Sequence, residues 1–217
     1  MSETELVVAA RAFVKSKFAG EGTGHDWYHI ERVTNTAITL AKREGADLVV
    51  VELAALLHDL GDHKFLAPGE AEGHIQVRNW LTEQEADAEL IDAVSSIVAN
   101  VSYKGSGVDT TMRTIEGKVV QDADRLDAIG AIGVARTFAY GGHKGNPIHD
   151  PTIKVQQHNS FADYKKGGGT TINHFYEKLL LLKDRMQTES GKRMAAERHA
   201  YMEQFLAQFY AEWEGRR

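Results

Sequence analysis

His29, the adjacent pair His58-Asp59, and Asp124 form a His…His-Asp…Asp series spread over about half of the chain, and residues of these types can close around one divalent metal ion. A first-row ion takes neutral imidazole nitrogens and carboxylate oxygens at about 2.0–2.2 Å, and two His with two Asp leave one or two positions for water or substrate. Mn²⁺ is the first expectation, with Ni²⁺, Co²⁺, Fe²⁺, Mg²⁺ and Zn²⁺ as alternatives. Such an ion polarises a phosphoryl oxygen and lowers the pKa of bound water toward ~7. The expected chemistry is hydrolysis of a phosphoester or phosphoanhydride.

Context gives the series its weight. The dipeptide also occurs at His25-Asp26 and His149-Asp150, as chance alone would produce from ten histidines and 31 acids. Only His58-Asp59 ends an almost wholly apolar run, Val49 to Leu57. An unpaired carboxylate buried at such a helix end costs roughly several kcal/mol, so it is normally hydrogen-bonded, ion-paired or bound to a metal. The pair at 149-150 lies in a Gly/Pro/Asn-containing stretch that reads as loop, whereas Asp26 reads as the N-cap of the helix that carries His29.

The elements that must position these groups are helices. Apolar residues recur at three- and four-residue spacing, and prolines occur only at 68, 147 and 151. Helices are expected at about 4–18, 27–44, 48–60, 70–81, 84–99, 114–138, 172–187 and 190–213. In 27–44 the stripe Ile30, Val33, Ala37, Leu40 and Ala41 faces a core, with His29 and Arg32 flanking it and Gly45 as C-cap. Helix 114–138 holds Asp122, Asp124 and Asp127 inside an apolar pattern, and Gly130 and Gly133 would allow close helix packing. Three carboxylates so spaced cannot all address one point, so at most part of this set can serve one metal. The stretch 139–171 reads as a long glycine-rich loop, either a lid over substrate or a solvated excursion. The last helix places Met194, Arg198, Tyr201, Met202, Phe205, Leu206, Phe209 and Trp213 on one face, for bundle packing or a homodimer seam.

Asp62 stands four residues after His58, on the same side if the helix continues, where it could orient or deprotonate an attacking water. A capping role beside Gly61 is the competing use. Phosphate binding must come from the metal plus dispersed cations, because no P-loop or dinucleotide fingerprint occurs. The candidate substrate contacts are Lys64, Arg125, Asp127, His174 and Lys178, with Lys183 behind them.

The 217 residues, 42% hydrophobic and 26% charged, suit one domain spanning 1–217. Its metal-site core would cover about 20–140, with 139–171 and the C-terminal helices packed on it. The formal charge of −6 argues against nucleic-acid partners. With no cysteine, no basic leader and no apolar run of ~20 residues, the expectation is a soluble cytoplasmic protein without membrane contact.

Asp26-Trp27-Tyr28-His29-Ile30-Glu31-Arg32-Val33, Leu56-Leu57-His58-Asp59-Leu60-Gly61-Asp62 and Ala123-Asp124-Arg125-Leu126-Asp127, in that order, resemble the HD-domain metal-dependent phosphohydrolases. The segment from Asn173 to Trp213 resembles the bacterial single-domain branch associated with nucleotide pyrophosphohydrolase activity. The resemblance implies an all-α helical bundle holding one metal through His29, His58, Asp59 and Asp124, with Asp122 as rival to Asp124. It also implies a nucleotide substrate, with (deoxy)nucleoside triphosphates going to monophosphate plus pyrophosphate. Several members place a Glu where Asp62 stands, one methylene longer, so the resemblance implies that Asp62 acts either directly or through a bridging water. The alternatives are a nucleoside monophosphatase or other phosphomonoesterase, a non-catalytic nucleotide-sensing module, and a metal-free network pairing the acids with Arg32 and Arg125.

Overall fold

Caps and apolar stripes decide where helices begin and which way they face. The computed structural model describes residues 2–19, 26–60, 72–101, 110–156 and 169–217. Helix α1 (Glu3–Lys17) opens on a capping box in which Ser2 and Glu5 satisfy each other's backbone N–H groups. Helix α2 (Trp27–Glu44) opens on Asp26, whose carboxylate accepts the His29 N–H at 2.8 Å, and closes on Gly45. Helix α3 (Leu48–Leu57) opens on Asp47, which accepts from Val49 and Val50. The link between α2 and α3 is short, and the two helices pack on each other.

Val51 and Leu53–Leu57 in α3 are completely buried, because α1, α2 and α5 (Ala88–Val101) all pack against this helix. Each leucine so enclosed contributes about 1.5–3 kcal/mol relative to exposure. The α2 stripe of Ile30, Val33, Ala37, Leu40 and Ala41 is equally enclosed, as its spacing requires. Helix α4 (Gly73–Glu83) covers α5, and between them Glu85 takes a left-handed conformation with φ 57°. Both helices begin three to four residues later than their periodicity suggests.

The chain divides into two compact units, Met1–Tyr103 with Thr110–Ala123 and Lys104–Asp109 with Asp124–Arg217, so the division falls within helix α6 (Ile115–Asp127). The expected helix 114–138 is two helices. Gly130 adopts φ 76°, a conformation that ends one helix and that an L side chain would resist, and α7 (Gly130–Lys144) starts there. Helix α7 then continues past the expected start of the loop at 139. It passes through Gly141, where a Cβ would stand 2.3 Å from Thr171 Oγ1. The glycine there serves a close approach rather than a turn. Residues 157–168 of the expected loop lie outside the described residues, and the lid reading with them.

The expected helix 172–187 is also divided, into α8 (Thr171–Glu177) and a 3-10 segment (Leu179–Arg185), with the change at Lys178. The N–H groups of Thr171 and Ile172 donate to Pro147 and Ile148, tying the start of α8 to the chain after α7. Helix α9 (Glu189–Trp213) opens on Thr188 and packs on α7 and the 3-10 segment. Phe205 stacks on Phe175 at 5.8 Å and meets Phe138 edge-on, while the His149 ring wedges against Phe209, Tyr210 and Trp213. Thus the sequence-read face of α9 is a packing face, although Tyr201 and Trp213 remain about half exposed. The described residues are all-α, with no strand and no helix long and apolar enough to cross a membrane.

Candidate metal centre

His29 and His58 reach one point because each occupies a helix end. His29 is the third residue of α2, held in the first turn by Asp26, which accepts its N–H through both the carboxylate and the main-chain carbonyl. His58 follows the last residue of α3 with helical dihedrals (φ −62°, ψ −33°), and Asp59 lies in the turn closed by Leu60 N–H donating to Leu57. The expected helix 48–60 therefore ends at Leu57, and the pair projects from the turn beyond it.

The imidazole of His58 is oriented from behind. Its Nδ1 stands 2.8 Å from the Ala55 carbonyl oxygen. A carbonyl only accepts, so Nδ1 carries a proton, and in the neutral ring Nε2 then has the lone pair that a metal would take. That Nε2 lies 3.4 Å from Asp59 Oδ1, and His29 Nε2 lies 3.4 Å from Asp59 Oδ2. The two rings are 5.4 Å apart and inclined at 66°. All three side chains are buried, with relative exposures of 1%, 5% and 6% for His29, His58 and Asp59.

The donor set fits a divalent first-row cation. One ligand atom from each residue lies within 4.8 Å of the others. Two donors each about 2.1 Å from a common ion, with an angle of about 110° between them, stand about 3.4 Å apart. A direct charge-assisted N–H···O bond would be shorter, about 2.7–2.9 Å. A neutral imidazole fixed by a carbonyl on its far nitrogen is the usual state of a metal-ligating histidine.

The remaining candidates fall in different places. Asp124 is half-buried in the last turn of α6, and Asp122 is wholly buried about 200° around the same helix. Asp62 and Lys64 lie outside the described residues. Arg125 is buried and donates to the Arg185 carbonyl at 2.5 Å. Asp127 is buried and ion-paired with Arg136. His174 and Lys178 are half-buried and one turn apart, the Lys178 N–H donating to the His174 carbonyl.

Sequence reasoning missed three groups. The Ala55 carbonyl that orients His58 is invisible because every residue has one. Arg136 gave no spacing signal because it lies on a different helix from Asp127, and the Arg185 carbonyl is as anonymous as that of Ala55. Arg198 did leave a trace, as a lone charge within the apolar stripe of α9. Its guanidinium donates to the Leu126 carbonyl. Burial pushes it below the usual arginine range, and the Asp127 carboxylate opposes that shift.

A family model described as HD domain matches residues 26–129. Protein YpgQ of Bacillus subtilis (strain 168) is 38% identical over 210 residues, covering 96% of this chain and 94% of its own length. A crystal structure of an HD-superfamily hydrolase from Bacillus thuringiensis superposes with a TM-score of 0.78 at 44% identity, over 98% of this chain and 99% of that one. The crystal structure of Bacillus subtilis YpgQ in complex with ADP superposes with a TM-score of 0.75 at 37% identity, over 95% of this chain and 97% of that one. Likeness over nearly the whole length, joined to histidines and an aspartate gathered as a metal site requires, has one meaning: the chain belongs to the HD-domain superfamily of hydrolases.

Proposed function

We propose that this protein is a metal-dependent phosphohydrolase of nucleotides that cleaves (deoxy)nucleoside triphosphates to the monophosphate and pyrophosphate. The observation that carries this reading is the buried convergence of His29, His58 and Asp59. The choice of a nucleotide is supported by the ADP bound to the related YpgQ structure. The choice of pyrophosphate as product rests on the resemblance of the C-terminal segment.

His29, His58, Asp59 and Asp124 would hold one divalent ion, Mn²⁺ in the first instance, which when bound supplies Lewis acidity toward phosphoryl oxygens and toward water. The protein's own groups do the rest. Asp59 stands between the two imidazoles, 3.4 Å from each Nε2. Asp62 takes the proton of the attacking water, directly or through a second water, as the water oxygen bonds to the α-phosphorus. The α–β bridging P–O bond breaks and its electron pair leaves on pyrophosphate. Lys64, His174 and Lys178 would neutralise phosphate oxygens, since charge neutralisation and positioning are most of what phosphoryl transfer needs. Arg125 and Asp127, engaged with Arg185 and Arg136, would act from behind the substrate.

The test is to incubate the protein with Mn²⁺ and a panel of ribo- and deoxyribonucleotides, beside a chelated control, and to identify the products by ³¹P NMR. Pyrophosphate from triphosphates is expected, lost in His58→Ala and Asp59→Ala while helical content persists. Asp62→Asn should lower turnover more than metal affinity. Orthophosphate and nucleoside from monophosphates would replace this reading with a phosphomonoesterase. Metal-dependent turnover surviving in both ligand variants would overturn the site.

A further inference from the structure

Helix α6 ends within one turn of Asp124, and the way it ends is unusual. The last four carbonyls of a helix have no partner inside it, and here they belong to Asp124, Arg125, Leu126 and Asp127. The main chain satisfies two of them by tight turns, Ala128 N–H to Arg125 and Ile129 N–H to Leu126, each at 3.2 Å. Arginines from two other helices add to this closure. Arg198, 72 residues further along in α9, donates to the Leu126 carbonyl at 2.5 Å. Arg136 in α7 donates to the Asp127 carbonyl at 3.4 Å and forms an ion pair with the Asp127 carboxylate. Two cations thus sit at the negative end of the α6 dipole, where they are favourable. The Arg198 stem also lies against Gly130, whose absent Cβ would stand 2.9 Å from Arg198 Cγ.

The family model ends at residue 129, so both arginines come from chain beyond it. Nothing in the match to that model requires them. Without these bonds the final turn of α6 would lose its external closure and fray, as helix ends do, and Asp124 is the first residue of that turn.

We propose that Arg198 and Arg136 are positioning residues for Asp124: they lock the last turn of α6 so that the Asp124 carboxylate is presented in one orientation. The inference rests on the assignment of Asp124 as fourth metal ligand. Both would act through the backbone and through Asp127.

The experiment measures Mn²⁺ dissociation constants by calorimetry, and unfolding midpoints in chelator, for wild type, Asp124→Ala, Arg198→Met and the double variant. Arg198→Met keeps the methylene stem over Gly130 and removes only the donors; Arg198→Lys, which keeps one donor, is the second variant should Met fold poorly. Arg198→Met should weaken Mn²⁺ binding by up to roughly 10-fold, the low end of what losing a group bonded directly to a metal ligand costs. Arg198→Lys should recover part of that loss. In the Asp124→Ala background the same change should cost less than about twofold, because a residue acting through a removed partner has nothing left to act on. A lowered midpoint with unchanged affinity would make Arg198 purely structural, and an equal loss in both backgrounds would place its action elsewhere; either result overturns the proposal. If Asp124→Ala itself leaves affinity unchanged, the fourth-ligand assignment fails, and the proposal with it, independently of any result on catalysis.

Discussion

Asp26 shows how one residue can serve stability and chemistry together. Its carboxylate caps α2 by accepting the N–H of His29, so the cap and the ligand share a turn. Asp47 caps α3 in the same manner, but at the end of that helix opposite His58. Replacing either by Ala should cost about 1 kcal/mol, a drop of roughly 2–4 °C in melting temperature for a chain of this size. Only Asp26→Ala should also weaken Mn²⁺ binding, because only there does the lost bond release a ligand. Thermal unfolding in chelator, paired with metal titration of both variants, separates the two effects. Equal metal affinity in both would mean that packing of Trp27 and Ile30 alone sets the His29 ring. At this scale the triad was legible in the sequence, because a His-Asp pair ending a buried apolar run has few other ways to be satisfied. The arginines around Asp127 were not: two of their acceptors are carbonyl oxygens, which carry no residue identity, and the charged partner of Arg136 lies across a helix break.

Elements with chemical punctuation were readable, and those without it were not. The bounds of α2 follow from Asp26 and Gly45, and the expected 27–44 is what forms. The break after Asp127 was hidden because the apolar pattern runs on through Ile129 and Ile132, and a glycine within such a pattern signals close packing as readily as a left-handed turn. Gly130 does both. Its φ of 76° and its contact with the Arg198 stem predict that Gly130→Ala is destabilising by about 1–2 kcal/mol from the backbone alone, with more from displacing Arg198. Gly142→Ala, in the same helix with nothing within 4 Å of the added Cβ, should be neutral or slightly stabilising. Denaturant titration of the pair tests this, and a neutral Gly130→Ala would show that the turn can be made another way. The four consecutive leucines, Leu179–Leu182, fit any period, which is why a 3-10 segment passed for ordinary helix.

For the molecule as a whole, fold class was set by periodicity and confirmed by likeness across nearly the full chain. The cluster of His29, His58 and Asp59 exists only in the folded chain, so a bound ion and stability would be linked. Mn²⁺ at 100 times its dissociation constant should stabilise the protein by about 2.7 kcal/mol, raising the melting temperature roughly 5–10 °C. The rise should vanish in His58→Ala and be reversed by chelator; a scanning-calorimetry trace indifferent to metal would favour a network of acids and arginines with no ion. Burial of all three described ligands has a consequence for the life of the protein in a cell. Ion and substrate phosphate would reach side chains so enclosed by the same local opening, at rates that opening sets. Metal exchange would then keep pace with turnover, and a molecule at work would follow the metal pool sooner than one at rest.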